Sequence, residues 1–255
     1  MLKLLVVKNK QIYKNRVVKG QENINMIINT NDIFKNYNNE NIYLIQQYYI
    51  DKSEIREKEV DFSLLKNIEN KNIKKIYLLN EKFYDKKILN NEKIEQININ
   101  KRLEYIDFFN FINQNKIKNK GYYILSNIDI FFNESINKIK YGLLNKTKSI
   151  YCLTRYEYKT ENKIEINNKY KNCSQDSWII HSNFSKVKNK KMYEIELGKP
   201  YCDNRICYLL NQEKFYIIND MKNIKSYHYH NSNIRNYHQI KDKINGEILH
   251  IKPHI

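Results

Sequence analysis

A chain of 255 residues suffices for one large domain or two small ones, with a core that needs neither disulfides nor a structural metal. Its formal charge of +17 raises the question of nucleic acid or anionic membranes, but the basic residues are scattered rather than gathered on one periodic face. The chain is saturated with Lys, Asn, Ile and Tyr (22 Tyr against 5 Gly and 2 Pro), residues with A/T-rich codons, so a genome of low G+C content explains much of the bias and nucleic acid is not the expected partner.

In chain order, the apolar start at 2–7 and the run at 26–28 read as short strands within an accessory extension over 1–40. The first run is too short for a signal peptide or a membrane span, so a soluble, cytoplasmic protein is expected. A clearer pattern begins at Asn41. Residues 42–45 form a β-run that ends in Gln46, Gln47 and Tyr48. Asp51 to Glu54 offer caps for a helix over 55–67, with Val60, Leu64, Leu65 and Ile68 as its apolar positions. Strands are predicted at 73–79 and 94–99, the latter followed by Lys101 and Arg102, and a helix over 105–117 turns Phe108, Phe109 and Ile112 inward.

The stretch GYYILSNIDIFF, 121–132, organises the rest: an apolar strand drives toward Ser126-Asn127-Ile128-Asp129. If the extended backbone continues, Asn127 and Asp129 share a face, where an amide and a carboxylate suit a hard cation or a phosphate-bearing ligand. The alternative is an Asx-rich turn that merely ends a strand. Beyond it a helix is predicted from 136 to 144, a strand at 149–153 before Arg155, a polar loop or irregular hairpin over 158–173, and a strand at 177–180 that contains Trp178 and follows Asp176. Leu197-Gly198-Lys199-Pro200 is the strongest turn signal. A helix over 205–211, a strand at 215–218, an extended run over 224–230 and a polar tail, 241–255, complete the chain. Strands alternating with helices predict an α/β fold, a mainly parallel central sheet flanked by helices, with a smaller antiparallel C-terminal part. Gln47, Glu81, Arg102 and Asp129 then lie near the carboxyl edge, where such sheets bind ligands.

Asp203 sits where the chain leaves the Gly-Pro turn for a helix, as a reactive carboxylate or as a simple N-cap. In an extended segment 226–230 the imidazoles of His228 and His230 face one side and the tyrosines the other, which suits a metal or phosphate contact as well as plain packing. Asp176 could orient a substrate hydroxyl or cap a turn. Four cysteines, Cys152, Cys173, Cys202 and Cys207, form no C-x-x-C pair and no zinc spacing, as expected of free thiols in a reducing cytosol. There is no P-loop, G-x-G-x-x-G, G-x-S-x-G or H-E-x-x-H, which argues against common nucleotide hydrolases, dinucleotide enzymes, serine hydrolases and zinc proteases.

Four stretches in this order, IYLLNE with NKRLEYIDF, LSNIDIFFNESI, CSQDSWII, and LGKPYCDNRICYLL with IKSYHYHNSNIRNY, resemble GT-A-type nucleotide-sugar glycosyltransferases, in particular small glycosyltransferase-like proteins of bacteria and large DNA viruses. The resemblance covers roughly 41–237 and implies one GT-A-like, Rossmann-like domain over 41–240. It implies transfer of a sugar from a UDP- or GDP-sugar to a glycan or other hydroxyl acceptor, assisted by Mn²⁺ or Mg²⁺. Asp129 matches the last acid of that class's D-x-D motif, Asn127 replaces the first, and His228 or His230 matches the late histidine of the metal shell. Asp203 matches the base of inverting members. Gln47, Tyr48, Arg102 and Arg155 become candidates for the nucleotide, Arg155 also for the sugar, and Asp176 and Trp178 for the acceptor side. The other readings are a nucleotide-sugar-binding protein without turnover, a sugar nucleotidylyltransferase, which the glycine-free stretch after the first strand disfavours, and a basic nucleic-acid-binding protein.

Overall fold

The computed structural model describes residues 38–142, 144–166, 174–232 and 234–253; the strands predicted at 2–7 and 26–28, and Cys173, lie outside them. In chain order the strands are β1 (Asn41–Gln46), β2 (Ile73–Asn80), β3 (Ile94–Asn98), β4 (Gly121–Ser126), β5 (Ile130–Phe132), β6 (Ser149–Thr154), β7 (Tyr156–Thr160), β8 (Lys163–Glu165), β9 (Gln175–His181), β10 (Tyr216–Ile218) and β11 (Ser226–His228). The α-helices are α1 (Glu54–Glu69), α2 (Tyr105–Asn115) and α3 (Cys202–Gln212).

Seven strands form the central sheet in the order β10-β6-β9-β4-β1-β2-β3. Its pairs are parallel except that β9 runs against both neighbours, β4 and β6. The chain winds outward from β1 through β2 to β3 and then returns to the other side of β1 as β4. Such a reversal opens a crevice at the carboxyl ends of the two strands, here beyond Gln46 and Ser126.

Strict alternation along the strands builds two cores. Tyr43, Ile45, Tyr123, Leu125, Cys152, Trp178 and Ile180 face α2 and α3. Ile42, Leu44, Tyr122, Ile124, Tyr151, Leu153 and Ile179 face α1. Phe108, Phe109 and Ile112 of α2 are buried as predicted, and the helix opens on a capping box between Glu104 and Asp107. In α1, Val60 and Leu64 point inward, but Leu65 is exposed, because each residue turns about 100° round the helix from the last. The buried stripe instead takes in Arg56, Glu59, Ser63 and Asn67. The helix expected from 136 is a 3-10 segment, Glu134–Tyr141, which Asn133 caps by accepting from the Ser135 amide.

A smaller sheet, β5-β11-β7-β8, is antiparallel except where β11 runs beside β7. It gathers three distant stretches of the chain. Phe131, Tyr158 and Tyr227 pack there with Phe62 of α1, Tyr156 and Tyr229. The polar tail is also tied down: Ile244 and Leu249 donate backbone hydrogen bonds to Pro200 and Asn204, and Ile251 joins the core beneath α3. Among the described residues, no helix is long and apolar enough to cross a membrane.

Candidate functional site

The extended backbone of β4 stops at Ser126, and Asn127 to Ile130 closes a turn in which the Ile130 amide donates to the Asn127 carbonyl at 3.1 Å. Gln46, fully buried at the end of β1, fixes this turn by donating to Ser126 Oγ and to the carbonyls of Asn127 and Ile130. The turn breaks the two-residue period. Asn127 and Asp129 therefore do not share partners, contrary to the sequence expectation: Asn127 donates to Asp176 Oδ1 at 2.8 Å, whereas Asp129 meets Arg56 and the late histidines.

Asp129 is 6 % exposed and lies beneath the first turns of α1. Its Oδ2 accepts from Arg56 Nη2 at 2.5 Å and lies 3.3 Å from His228 Nε2 and 3.4 Å from His230 Nδ1. Burial opposes the charge on Asp129, but His228, His230 and Arg56 outweigh it and hold the carboxyl well below the usual carboxylate range. The histidines alternate with Tyr227 and Tyr229, whose rings pack into the aromatic layer: Tyr227 stacks on Phe131 at 5.2 Å between centroids, and Tyr229 meets Phe62 at 4.4 Å. The tyrosines thus aim the imidazoles. Each imidazole also has its far nitrogen engaged, His228 Nδ1 with Glu157 Oε2 at 2.7 Å and His230 Nε2 with the Ile234 carbonyl at 2.8 Å. The near nitrogens face Asp129, and Arg235 Nη1 also lies 2.5 Å from His230 Nδ1 and 2.6 Å from its Nε2.

That arrangement offers three ligands to a divalent cation, provided Arg56 and Arg235 draw back from Asp129 Oδ2 and His230 Nδ1. One carboxylate oxygen and two imidazole nitrogens lie within 4.8 Å of one another, and a carboxylate or carbonyl orients each ring from behind, as metal-ligating histidines require. Asp129, Glu59, Glu157 and Asp176 are joined through two guanidinium groups, Arg56 and Arg155, and a third, Arg235, lies against His230, so one negative charge remains for a cation to meet. Without a metal, burial and Arg155 push the His228 pKa down, but Asp129 and Glu157 prevail and raise it.

On the α3 side the left-handed turn at Gly198 (φ 77°) brings the loop against Arg102 and Asn127: a methyl group there would lie 3.4 Å from Asn127 Oδ1 and 3.5 Å from Arg102 Nη2. Arg102 donates to the Leu197 carbonyl through Nε and Nη2. Gln47 accepts from the Leu103 amide and donates to the Lys101 carbonyl, so it holds the β3–α2 loop in place. Tyr201, with φ 69°, then leads into α3. Asp203 accepts from the backbone amides of Gln175 at 3.1 Å and Asn204 at 2.9 Å. Burial and the charge of Asp176 raise the Asp203 pKa to about 7, against the two amides and Arg155. A carboxyl poised there can take a proton near neutral pH.

Arg155 bridges the two sides. Its Nη1 donates to Asp176 Oδ2 and, at 2.9 Å, to Ser174 Oγ; its Nε donates to Glu157 Oε1 at 2.9 Å. Because Glu157 also meets His228, an unbroken chain of polar contacts runs Asn127–Asp176–Arg155–Glu157–His228–Asp129–Arg56.

Two candidates leave the set. Trp178 is 1 % exposed and packs edge-on to Tyr105 at 4.8 Å, out of reach of an acceptor. Tyr48 is fully buried and its hydroxyl donates to Asp61, so it does not contact a nucleotide. Arg56, Glu59 and Glu157 escaped the sequence reading. The available signal was positional: Arg56 and Glu59 extend the inward face of Val60 back along α1, and Glu157 lies one strand repeat after Arg155.

The chain matches no protein-family profile and no curated relative in sequence. Among solved structures it is similar to 4-diphosphocytidyl-2C-methyl-D-erythritol synthase from Anaerococcus prevotii, at 12 % identity and TM-score 0.40 over 77 % of this chain and 93 % of that one. It is also similar to a glucose-1-phosphate thymidylyltransferase from Bacillus anthracis crystallised with sucrose, at 10 % identity and TM-score 0.43 over 71 % and 86 % of the two chains. Likenesses of this degree carry no weight for activity.

Proposed function

We propose that this protein binds a nucleoside-diphosphate sugar across the carboxyl edge of its sheet and transfers the sugar to a hydroxyl acceptor, with Asp203 as the base. The observation that carries the reading is the Asp203 carboxyl, held by the amide of Gln175 next to Asp176, from which Arg155 and Glu157 lead to the buried Asp-His-His cluster.

A hydroxyl is a weak nucleophile, and a positioned base helps by roughly 10² to 10⁴-fold. Asp203 accepts the acceptor's proton as its oxygen attacks the anomeric carbon. The bond from that carbon to the diphosphate breaks, and its electron pair leaves with the nucleoside diphosphate. Asp129, His228 and His230 would hold Mn²⁺ or Mg²⁺, which, when bound, supplies positive charge for the leaving diphosphate. Two imidazoles beside one carboxylate favour Mn²⁺, since Mg²⁺ prefers oxygen ligands. Asn127 lies with Arg102 against the Gly198 turn and not beside Asp129, and Arg102 offers a cation at that part of the rim. Asp203 opens α3 and Asp129 meets Arg56 of α1, a separation in keeping with a base and a leaving group on opposite sides of the sugar, and so with inversion.

The test is hydrolysis and transfer by a panel of UDP- and GDP-sugars with Mn²⁺. Asp203→Asn abolishes turnover while donor binding survives, and Asp129→Ala loses donor binding. Normal turnover by Asp203→Asn refutes the base assignment. Binding without any turnover by the wild-type chain favours a nucleotide-sugar-binding protein that lacks transfer.

A further inference from the structure

We propose that Arg155 is a positioning residue: by clamping Asp176 beside Asp203 on one side and Glu157 beside His228 on the other, it makes the two halves of the site act as one. The inference rests on the reading above for its meaning in catalysis, but its geometry stands independently. Asp203 is fastened to the amide of Gln175, the residue just before Asp176 on β9. Asp176 in turn uses one oxygen for Asn127 and the other for Arg155 and Ser174. Ser174 Oγ is shared by Arg155 and Asp176, so the clamp has a third, neutral support.

Asp203 answers to this clamp because its other neighbours carry little charge. Facing it are Asp176 from β9, Arg155 just beyond β6, Tyr105 from α2, and Cys202 and Cys207 from its own helix. Burial pushes the Cys202 thiol up to about 12; the neighbouring Cys152, and then burial, hold Cys207 well above its ordinary range; the Tyr105 phenol is likewise raised by burial. These three groups stay neutral through the physiological range. Asp176 and Arg155 are therefore the charges that decide when Asp203 loses its proton. Their effects have opposite sign. The Asp176 carboxylate repels a second negative charge, and the Arg155 guanidinium attracts one. Glu157 competes with Asp176 for Arg155, so a change at the His228 end is passed on through how Arg155 divides its charge.

The test is a carboxyl-carbon NMR titration of protein labelled with ¹³C-aspartate, with the Asp203 resonance assigned by its loss in Asp203→Asn. Wild type titrates near pH 7. In Asp176→Asn the midpoint falls by about one pH unit, and in Arg155→Met it rises by about one, the usual size of effect for a charge at this range. Arg155→Lys, which keeps the charge, restores most of the wild-type value, and Glu157→Gln moves the midpoint down. Circular dichroism verifies that each variant is folded; should Arg155→Met fail to fold, Glu157→Gln and Arg155→Lys decide. Midpoints unchanged in Asp176→Asn and Glu157→Gln, or shifts of the same sign in Asp176→Asn and Arg155→Met, overturn the proposal. The titration needs no turnover. If Asp203→Asn proves active, the base assignment falls while the clamp is still judged on these midpoints alone.

Discussion

Arg56→Met isolates the electrostatic centre of the α1 side. Arg56 is 5 % exposed and its guanidinium serves two carboxylates, Asp129 at 2.5 Å and Glu59 at 2.9 Å. Methionine keeps much of the volume and the unbranched stem, so packing loss is small and the charge is what disappears. Removing one partner of a buried ion pair costs about 3–5 kcal/mol, because the remaining charge stays desolvated. Glu59 retains the amides of Asn231 and Ser232 and the Ser232 hydroxyl, and Asp129 retains two imidazoles, so the lower end of that range is expected. The sign with pH follows from linkage. The folded pKa of Asp129 is depressed, so its stabilising contribution is present above the unfolded value and is lost as pH falls through the folded one. The deficit of Arg56→Met is therefore largest near neutral pH and shrinks as the solution is taken below pH ~4, where unfolded aspartate binds its proton. Urea unfolding followed by the fluorescence of the single, buried Trp178 reads this directly. A deficit below about 1 kcal/mol at pH 7, the size of an exposed pair, would refute the reasoning. So would a deficit that does not change with pH.

Asp203→Asn gives the opposite trend. A carboxyl whose folded pKa is raised costs stability as pH rises from its unfolded value to about 7, so the variant is more stable than wild type in chemical unfolding at pH 8 and indistinguishable near pH 4. Tyr227→Ala removes a ring that stacks on Phe131 and contacts Tyr156 and Tyr158; a loss of about 3 kcal/mol in urea is expected, with a parallel loss of Mn²⁺ affinity by calorimetry because β11 carries His228. Gly198→Ala forces a side chain into the left-handed region at a cost of about 1–2 kcal/mol and presses on Asn127 and Arg102, so thermal stability falls and KM for the donor rises more than kcat falls.

Much of the central sheet was legible because its strands are buried on both faces and so stand out as short runs of Ile, Leu and Tyr. The pairing of His228 with His230, and of Tyr227 with Tyr229, followed from strand alternation alone. Alternation misled at Asn127 and Asp129, since the strand ends one residue earlier and a turn locked by Gln46 sends them to different partners. Tyr48 and Trp178 misled for another reason. An aromatic with a polar handle reads the same in sequence whether it lines a cleft or fills a core, and here both are sealed inside. A smaller antiparallel part was legible, but the reversed direction of β9 and the joining of β5, β7 and β11 in one sheet were not, because strand pairing over such separations depends on contacts that local patterns do not record. Arg56 stayed hidden within an ordinary-looking charged helix, and only the tertiary contact with Asp129 marks it out.

Direct titration of UDP- and GDP-sugars with Mn²⁺ into the wild-type chain, Asp129→Ala and Asp203→Asn tests the central claim most closely. At least one nucleotide sugar is expected to bind wild type and Asp203→Asn alike and Asp129→Ala at least about tenfold more weakly, a difference of about 1.4 kcal/mol. Equal binding by Asp129→Ala, or no binding of any nucleotide sugar to the wild-type chain, would contradict the account.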